Sequence, residues 1–313
     1  MVRALVFPGQ GSQAVGMGRD LAAAFPVARH TFQEVDDALK QKLSKVMFEG
    51  PESELTLTEN AQPALMAVSL AVMSVLQKEG DLDLPRHVAL VAGHSLGEYS
   101  ALAAADTFGL ADAALLLKRR GLAMQRAVPV GEGAMAALLG LELEGAQEVA
   151  AAAAEGEICA VANDNAPGQV VVSGHKAAVE RAMKLGAERG ARRSILLPVS
   201  APFHCALMEP AAREMEEALA AVAVEAPAVP LIANVTAASV DEPEAIRRLL
   251  VEQVTGLVRW RESVLAMKDE GVDTVIELGA GRVLSGLVKR IDRDLAVMSV
   301  GTPAEIETFL KTL

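Results

Sequence analysis

The sequence predicts an α/β protein: a parallel-sheet core into which a small domain of ferredoxin-like order is inserted. Three observations predict it. Short apolar runs alternate with long helical stretches up to about residue 126. From about residue 127 the order becomes β-α-β-β-α-β. After residue 197 the strand–helix alternation returns. The expected division is therefore 1–126 with 197–313 as the core and 127–196 as the insertion.

The first strand is "RALVF", followed by a glycine turn and helices. "ALMAVSLAVMSVL" (64–76), the longest apolar run, is too short to span a bilayer and reads as a buried helix. "HVALVAG" (87–93) is the second strand, and "LADAALLLKRRGLAMQRAV" (110–128) is the clearest helix. In the insertion, "AMAALLGL", "ICAVANDN", "QVVVSG" and "RRSILLPV" read as strands. "EGAQEVAAAAA" and "HKAAVERAMKLGAERG" read as helices, and "DNAPGQ" supplies the middle hairpin turn. "VPLIANV", "DTVIELGAG" and "LAVMSVG" complete the core.

At 313 residues the chain can bury a large core; 51% of it is hydrophobic but only 3% aromatic, so alanine, valine and leucine do the packing. The net charge of −12 disfavours nucleic acid as a partner, because phosphates would be repelled. Cys159 and Cys205 lie far apart without metal-ligand spacing, which suits a reducing compartment. No signal peptide precedes the first strand, so a cytoplasmic protein without membrane association is expected.

Chemistry is signalled by "GHSLGE" (93–98), where Ser95 has glycines two positions away on each side. Between an apolar strand and the helical "EYSALAAADTF", this fits a nucleophile elbow. An activated serine needs a base, and the chain has five histidines. His30 lies in a helical stretch, His87 before the elbow strand and His175 at a helix start, and His94 is the nucleophile's own neighbour. His204 remains, in the proline-bounded loop "PVSAPFHCALMEP". No histidine follows it, so the chain order departs from that of an ordinary esterase.

The segments "FPGQGSQ" (7–13), "ENAQPAL" (59–65), "GHSLGEY" (93–99), "RRGLAMQ" (119–125), "PFHCALM" (202–208) and "ELGAGRVLSGL" (277–287) together resemble the malonyl-CoA:acyl carrier protein transacylase family. The resemblance runs nearly end to end and implies an α/β-hydrolase-like core with the ferredoxin-like insertion. It implies Ser95 as nucleophile, His204 as base, and the backbone N–H groups of Gln10 and Leu96 as the oxyanion hole. The histidine would be oriented by a backbone carbonyl, whose matching place is Arg259. Arg120 would clamp the malonyl carboxylate, with Phe203 and Gln62 beside the substrate and Met124 and Met135 either in the pocket or in the core. Lys118 and Arg119 read as solvated helix charges.

The resemblance further implies malonyl-CoA as donor, acyl carrier protein as acceptor and partner, and a role in fatty acid elongation. No cofactor and no metal are expected, coenzyme A thioester being a substrate, and a monomer is expected. An acidic carrier would need a local basic patch; Lys184, Arg189, Arg192 and Arg193, or Lys289, Arg290 and Arg293, are the candidates. "GQGSQA" formally fits a dinucleotide fingerprint, but the helical sequence after it lacks the required second strand. Ala280 stands in "GAG", where many relatives have Gly-Pro-Gly.

Overall fold

The computed structural model describes all residues, Met1–Leu313. Ten strands form two sheets. They are β1 (Arg3–Phe7), β2 (Leu90–Gly93), β3 (Gly133–Leu139), β4 (Cys159–Ala166), β5 (Gln169–His175), β6 (Arg193–Leu196), β7 (Leu231–Ile232), β8 (Ser239–Val240), β9 (Thr274–Leu278) and β10 (Ala296–Val300).

The larger sheet has the order β10-β9-β1-β2-β7-β8, parallel throughout except for the edge pair β7–β8. Alternation along β1 decides what covers each face. Leu5 and Phe7 join the core cluster built on the helices Thr58–Gly80 and Leu110–Ala127, whereas Ala4 and Val6 join the cluster with Trp260, Val264 and Val288. Helices thus cover both faces, and the strand ends become the natural place for a site. No helix is long and apolar enough to cross a membrane.

The smaller sheet is antiparallel with the order β4-β5-β3-β6, and all its strands fall within residues 133–196. Its two helices, Leu143–Ala154 and Lys176–Glu188, pack with their own alanine- and valine-rich cluster. β4 continues past this sheet to the larger unit: Val258 donates to Ala162 O at 2.9 Å and Asp164 donates to Val258 O at 3.0 Å. The buried Asp164 carboxylate meets Arg261 Nε at 2.9 Å in the same seam.

Two details differ from the sequence expectation. "VPLIANV" yields only a two-residue strand, because Pro230 has no N–H to give and the chain turns at Asn234 toward the elbow. Its short antiparallel partner β8 carries no pattern that a sequence window could register.

Candidate active site

The elbow forms at the end of β2 because glycine occupies both flanks. A Cβ on Gly93 would lie 1.9 Å from Gly97 O, and one on Gly97 would lie 2.1 Å from Phe7 O. With both absent, Ser95 takes φ 53° and ψ −110° and caps the helix Leu96–Ala104. Such backbone strain costs on the order of 1–3 kcal/mol and persists only where the surroundings enforce it. Asn234 supplies part of that enforcement: Ser95 N donates to its Oδ1 at 2.8 Å, and its Nδ2 donates to Gly93 O at 2.7 Å.

Ser95 Oγ and His204 Nε2 lie 2.7 Å apart. His204 Nδ1 lies 2.8 Å from the backbone carbonyl of Gln253. A carbonyl can only accept, so Nδ1 carries the proton and Nε2 presents its lone pair to the serine hydroxyl. His204 is buried, with a left-handed backbone (φ 58°). Burial, and then the positive charge of Arg120, push its pKa down to about 3, so the ring is neutral near pH 7.

The orienting carbonyl is a correction to the sequence reading, which placed it at Arg259. Gln253 lies in the last turn of the helix Pro243–Thr255, where terminal carbonyls lack an intrahelical donor and are free for a side chain. The Arg259 carbonyl is already engaged, accepting from Ser263 N at 2.9 Å and Ser263 Oγ at 2.8 Å in the first turn of Trp260–Asp269.

Arg120 is 1% exposed and reaches the nucleophile: Nη2 lies 3.2 Å from Ser95 Oγ. Its other partners are two neutral amides, Gln62 Oε1 at 2.8 Å from Nη1 and Gln253 Oε1 at 2.7 Å from Nη2, and its Nε has none. Burial lowers its pKa, and the nearby Tyr99 and Glu98 act in the opposite sense. A guanidinium is so strongly basic that it stays cationic despite this. The molecule therefore holds a buried cation beside the serine with no carboxylate in contact with it.

These groups line a cavity of about 220 Å³ together with Gln10, Leu96, Phe203, Met124 and Met135. Gln62 Nε2 donates to Thr58 Oγ1 at 3.0 Å, and Thr58 Oγ1 donates to Gln10 Oε1 at 2.9 Å, so one polar chain runs from Arg120 to the first loop. Neither Gln10 N nor Leu96 N donates to an acceptor within the chain. Lys118 and Arg119 lie outside the cavity but are paired, with Glu59 at 3.2 Å and Glu214 at 3.2 Å. His94 turns away from the dyad, with Nε2 2.8 Å from Asn165 Oδ1 of β4.

Three functional neighbours escaped the sequence reading: Gln253, Asn234 and Glu98. Gln253 is the hub. Its carbonyl holds His204, its Oε1 holds Arg120, and its Nε2 donates to Ser95 O at 2.9 Å and Glu98 Oε2 at 2.8 Å.

Comparison with known proteins gives the family. Residues 4–300 match the acyl transferase domain family. The chain is 46% identical to the malonyl CoA-acyl carrier protein transacylase of Bacillus subtilis (strain 168), over 99% of this chain and 96% of that one. The crystal structure of an acyl-carrier-protein S-malonyltransferase from Bartonella henselae superposes with a TM-score of 0.97 at 55% identity, covering 100% of this chain and 99% of the other. A malonyl-transacylase in complex with its holo type II PKS acyl-carrier protein superposes at 0.96 with 43% identity, each chain covered completely. With a serine–histidine dyad at an elbow and similarity along its whole length, the chain belongs to the acyl transferase family, among the malonyl CoA-acyl carrier protein transacylases.

Proposed function

We propose that the protein transfers the malonyl group from malonyl-CoA to the phosphopantetheine thiol of acyl carrier protein through a malonyl-Ser95 intermediate. The observation that carries this reading is the buried, carboxylate-free Arg120 within 3.2 Å of a serine already bonded to its base. Malonyl presents a free carboxylate to that cation, and a neutral acyl group presents nothing. The names of the relatives and the carrier-bound neighbour support both donor and acceptor.

Ser95 Oγ attacks the thioester carbon while His204 Nε2 takes its proton. The oxyanion that forms is held by the amides of Gln10 and Leu96, and the N-terminus of Leu96–Ala104 adds a favourable dipole. As the C–S bond breaks, His204 returns the proton to the coenzyme A thiolate. The carrier thiol then attacks the malonyl ester, His204 accepts the thiol proton, and the proton passes to Ser95 Oγ as the C–O bond breaks. Phe203, 8% exposed at the cavity wall, leaves little room for an α-methyl group.

The same reading divides the molecule into an α/β-hydrolase-like core (1–126 and 197–313) and a ferredoxin-like insertion (127–196). The parallel larger sheet and the β4-β5-β3-β6 order support it. For the carrier, Arg192 and Arg193 are exposed and make no ion pair, whereas Arg189 meets Glu148 and Arg290 is bonded to Gln169.

The test is intact-protein mass spectrometry after brief mixing with malonyl-CoA or acetyl-CoA. Wild type should carry a malonyl adduct that persists until holo-carrier protein is added, and Ser95→Ala should carry none. Rapid loss of the adduct to free malonate without carrier would make the protein a hydrolase instead.

A further inference from the structure

Glu98 is 1% exposed, the third residue of the helix Leu96–Ala104, and takes no part in the transfer steps above. Its Oε2 accepts from Gln253 Nε2 at 2.8 Å and from Asn234 N at 3.2 Å. Asn234 is the residue that braces the elbow, and Gln253 is the residue that holds both Arg120 and His204. One carboxylate oxygen therefore ties together the supports of all three functional side chains.

We propose that Glu98 is a positioning residue for acyl selection: by anchoring the Gln253 amide it keeps that carbonyl on Arg120 and so fixes the guanidinium that receives the malonyl carboxylate. This rests on the transacylase reading. The Gln253 amide has two N–H groups; one is taken by Ser95 O, the other by Glu98. Without the second acceptor a buried N–H is orphaned, and the amide relieves this by rotating off its position. Rotation moves Oε1 away from Arg120 Nη2, or brings the amide NH2 against it, two donors facing each other. Arg120 would then keep only Gln62 and the serine hydroxyl as partners and lose its fixed aim.

The histidine is less exposed to this change, because it bonds the Gln253 main chain, which the helix Pro243–Thr255 holds in place. The predicted signature is thus a selectivity defect, distinct from a general loss of activity. Glu98's accepting oxygen matters more than its charge: burial pushes its pKa up to about 7, yet the oxygen facing two N–H groups accepts in either protonation state.

The experiment measures kcat/KM for formation of the acyl-serine from malonyl-CoA and from acetyl-CoA. Glu98→Leu should lower the malonyl-over-acetyl ratio at least about tenfold, the effect of one charge-assisted hydrogen bond, with acetyl acylation, which shares the elbow that Asn234 braces, falling by less than malonyl acylation. Glu98→Gln keeps an accepting oxygen in place and should hold the ratio within about threefold of wild type. Gln253→Met should lower the ratio as Glu98→Leu does, and the double variant should show no further loss. If Glu98→Leu does not fold, Glu98→Asp, which withdraws the oxygen by one methylene, is read in its place.

An equal fall for both acyl groups, or additive losses in the double variant, would overturn the role of Glu98. A wild-type protein that forms no malonyl-serine would overturn the transacylase reading itself, an outcome distinct from the first.

Discussion

Acidification from pH about 7.5 to about 5.5 separates a base buried in its neutral form from an ordinary histidine. An imidazole at its usual value of about 6.5 would lose roughly tenfold in its neutral fraction over this step. His204, held near 3 by burial and by Arg120, stays neutral to better than ~99%. Single-turnover malonylation of Ser95, followed by quenched flow and mass spectrometry, should therefore be flat in pH as far as the base is concerned. Stability carries the complementary signature. Between about 6.5 and about 3 the unfolded chain binds a proton that folded His204 refuses, so stability falls as pH falls through that window. The step costs on the order of 1 kcal/mol.

Glu98 acts with the opposite sign. Its value rises from 4.5 to about 7, so the folded chain takes up the proton first and acidification stabilises it, by on the order of 2 kcal/mol over the same step. In wild type the two contributions oppose each other, and comparison of variants separates them. Relative to wild type, His204→Asn should become more stable by on the order of 1 kcal/mol on acidification, read from denaturant melts at the two pH values. An acylation rate that falls with a midpoint near 6–6.5, together with a pH-independent difference between the two proteins, would refute the buried neutral base.

Arg120→Met should lower kcat/KM for malonyl-CoA by about 10²–10⁴, two charge-assisted hydrogen bonds at roughly 1.5–3 kcal/mol each, and should lower that for acetyl-CoA far less. Equal losses, measured by steady-state transfer to carrier protein, would make Arg120 a structural cation. Gly93→Ala should destabilise the chain by more than the about 1–3 kcal/mol of ordinary overpacking, since the new Cβ has rigid backbone 1.9 Å away; a melting curve like that of wild type would contradict the elbow geometry.

The dyad was legible because its members stand in dense local signals: glycines around Ser95 and prolines around His204. Arg120 entered through the family resemblance alone, although the helix pattern also marks it. It falls on the stripe Ala113, Leu116, Leu117, Arg120, Met124, whereas Lys118 and Arg119 fall off it. A charge on an apolar stripe is buried with a reason. The same test finds Gln253, which continues the stripe Ile246, Leu249, Leu250 with Val254. Without that test it reads as one more polar residue in "RRLLVEQVTG". Glu98 and Asn234 were not legible, because their chemistry exists only in contacts spanning 155 and 139 residues. The misplacement of the orienting carbonyl at Arg259 has the same origin: every residue carries a carbonyl, and only the helix end that leaves one unpaired marks it.

Placing a backbone carbonyl behind the histidine changes what else the site must supply. A carboxylate partner would stabilise the imidazolium formed during acylation; the Gln253 carbonyl offers only a dipole, while Arg120 opposes the charge. Burial first, and Arg120 second, leave resting His204 a weak base, as its value of about 3 expresses. On the transacylase reading, the malonyl carboxylate that lands on Arg120 offsets the charge that disfavours the imidazolium. The acyl group that is to be transferred thus strengthens the base that transfers it, and a neutral acyl group leaves Arg120 uncompensated and the base weak. Selection then resides in the acylation rate constant as well as in binding, because the ion pair helps more once positive charge appears on His204 than before it does.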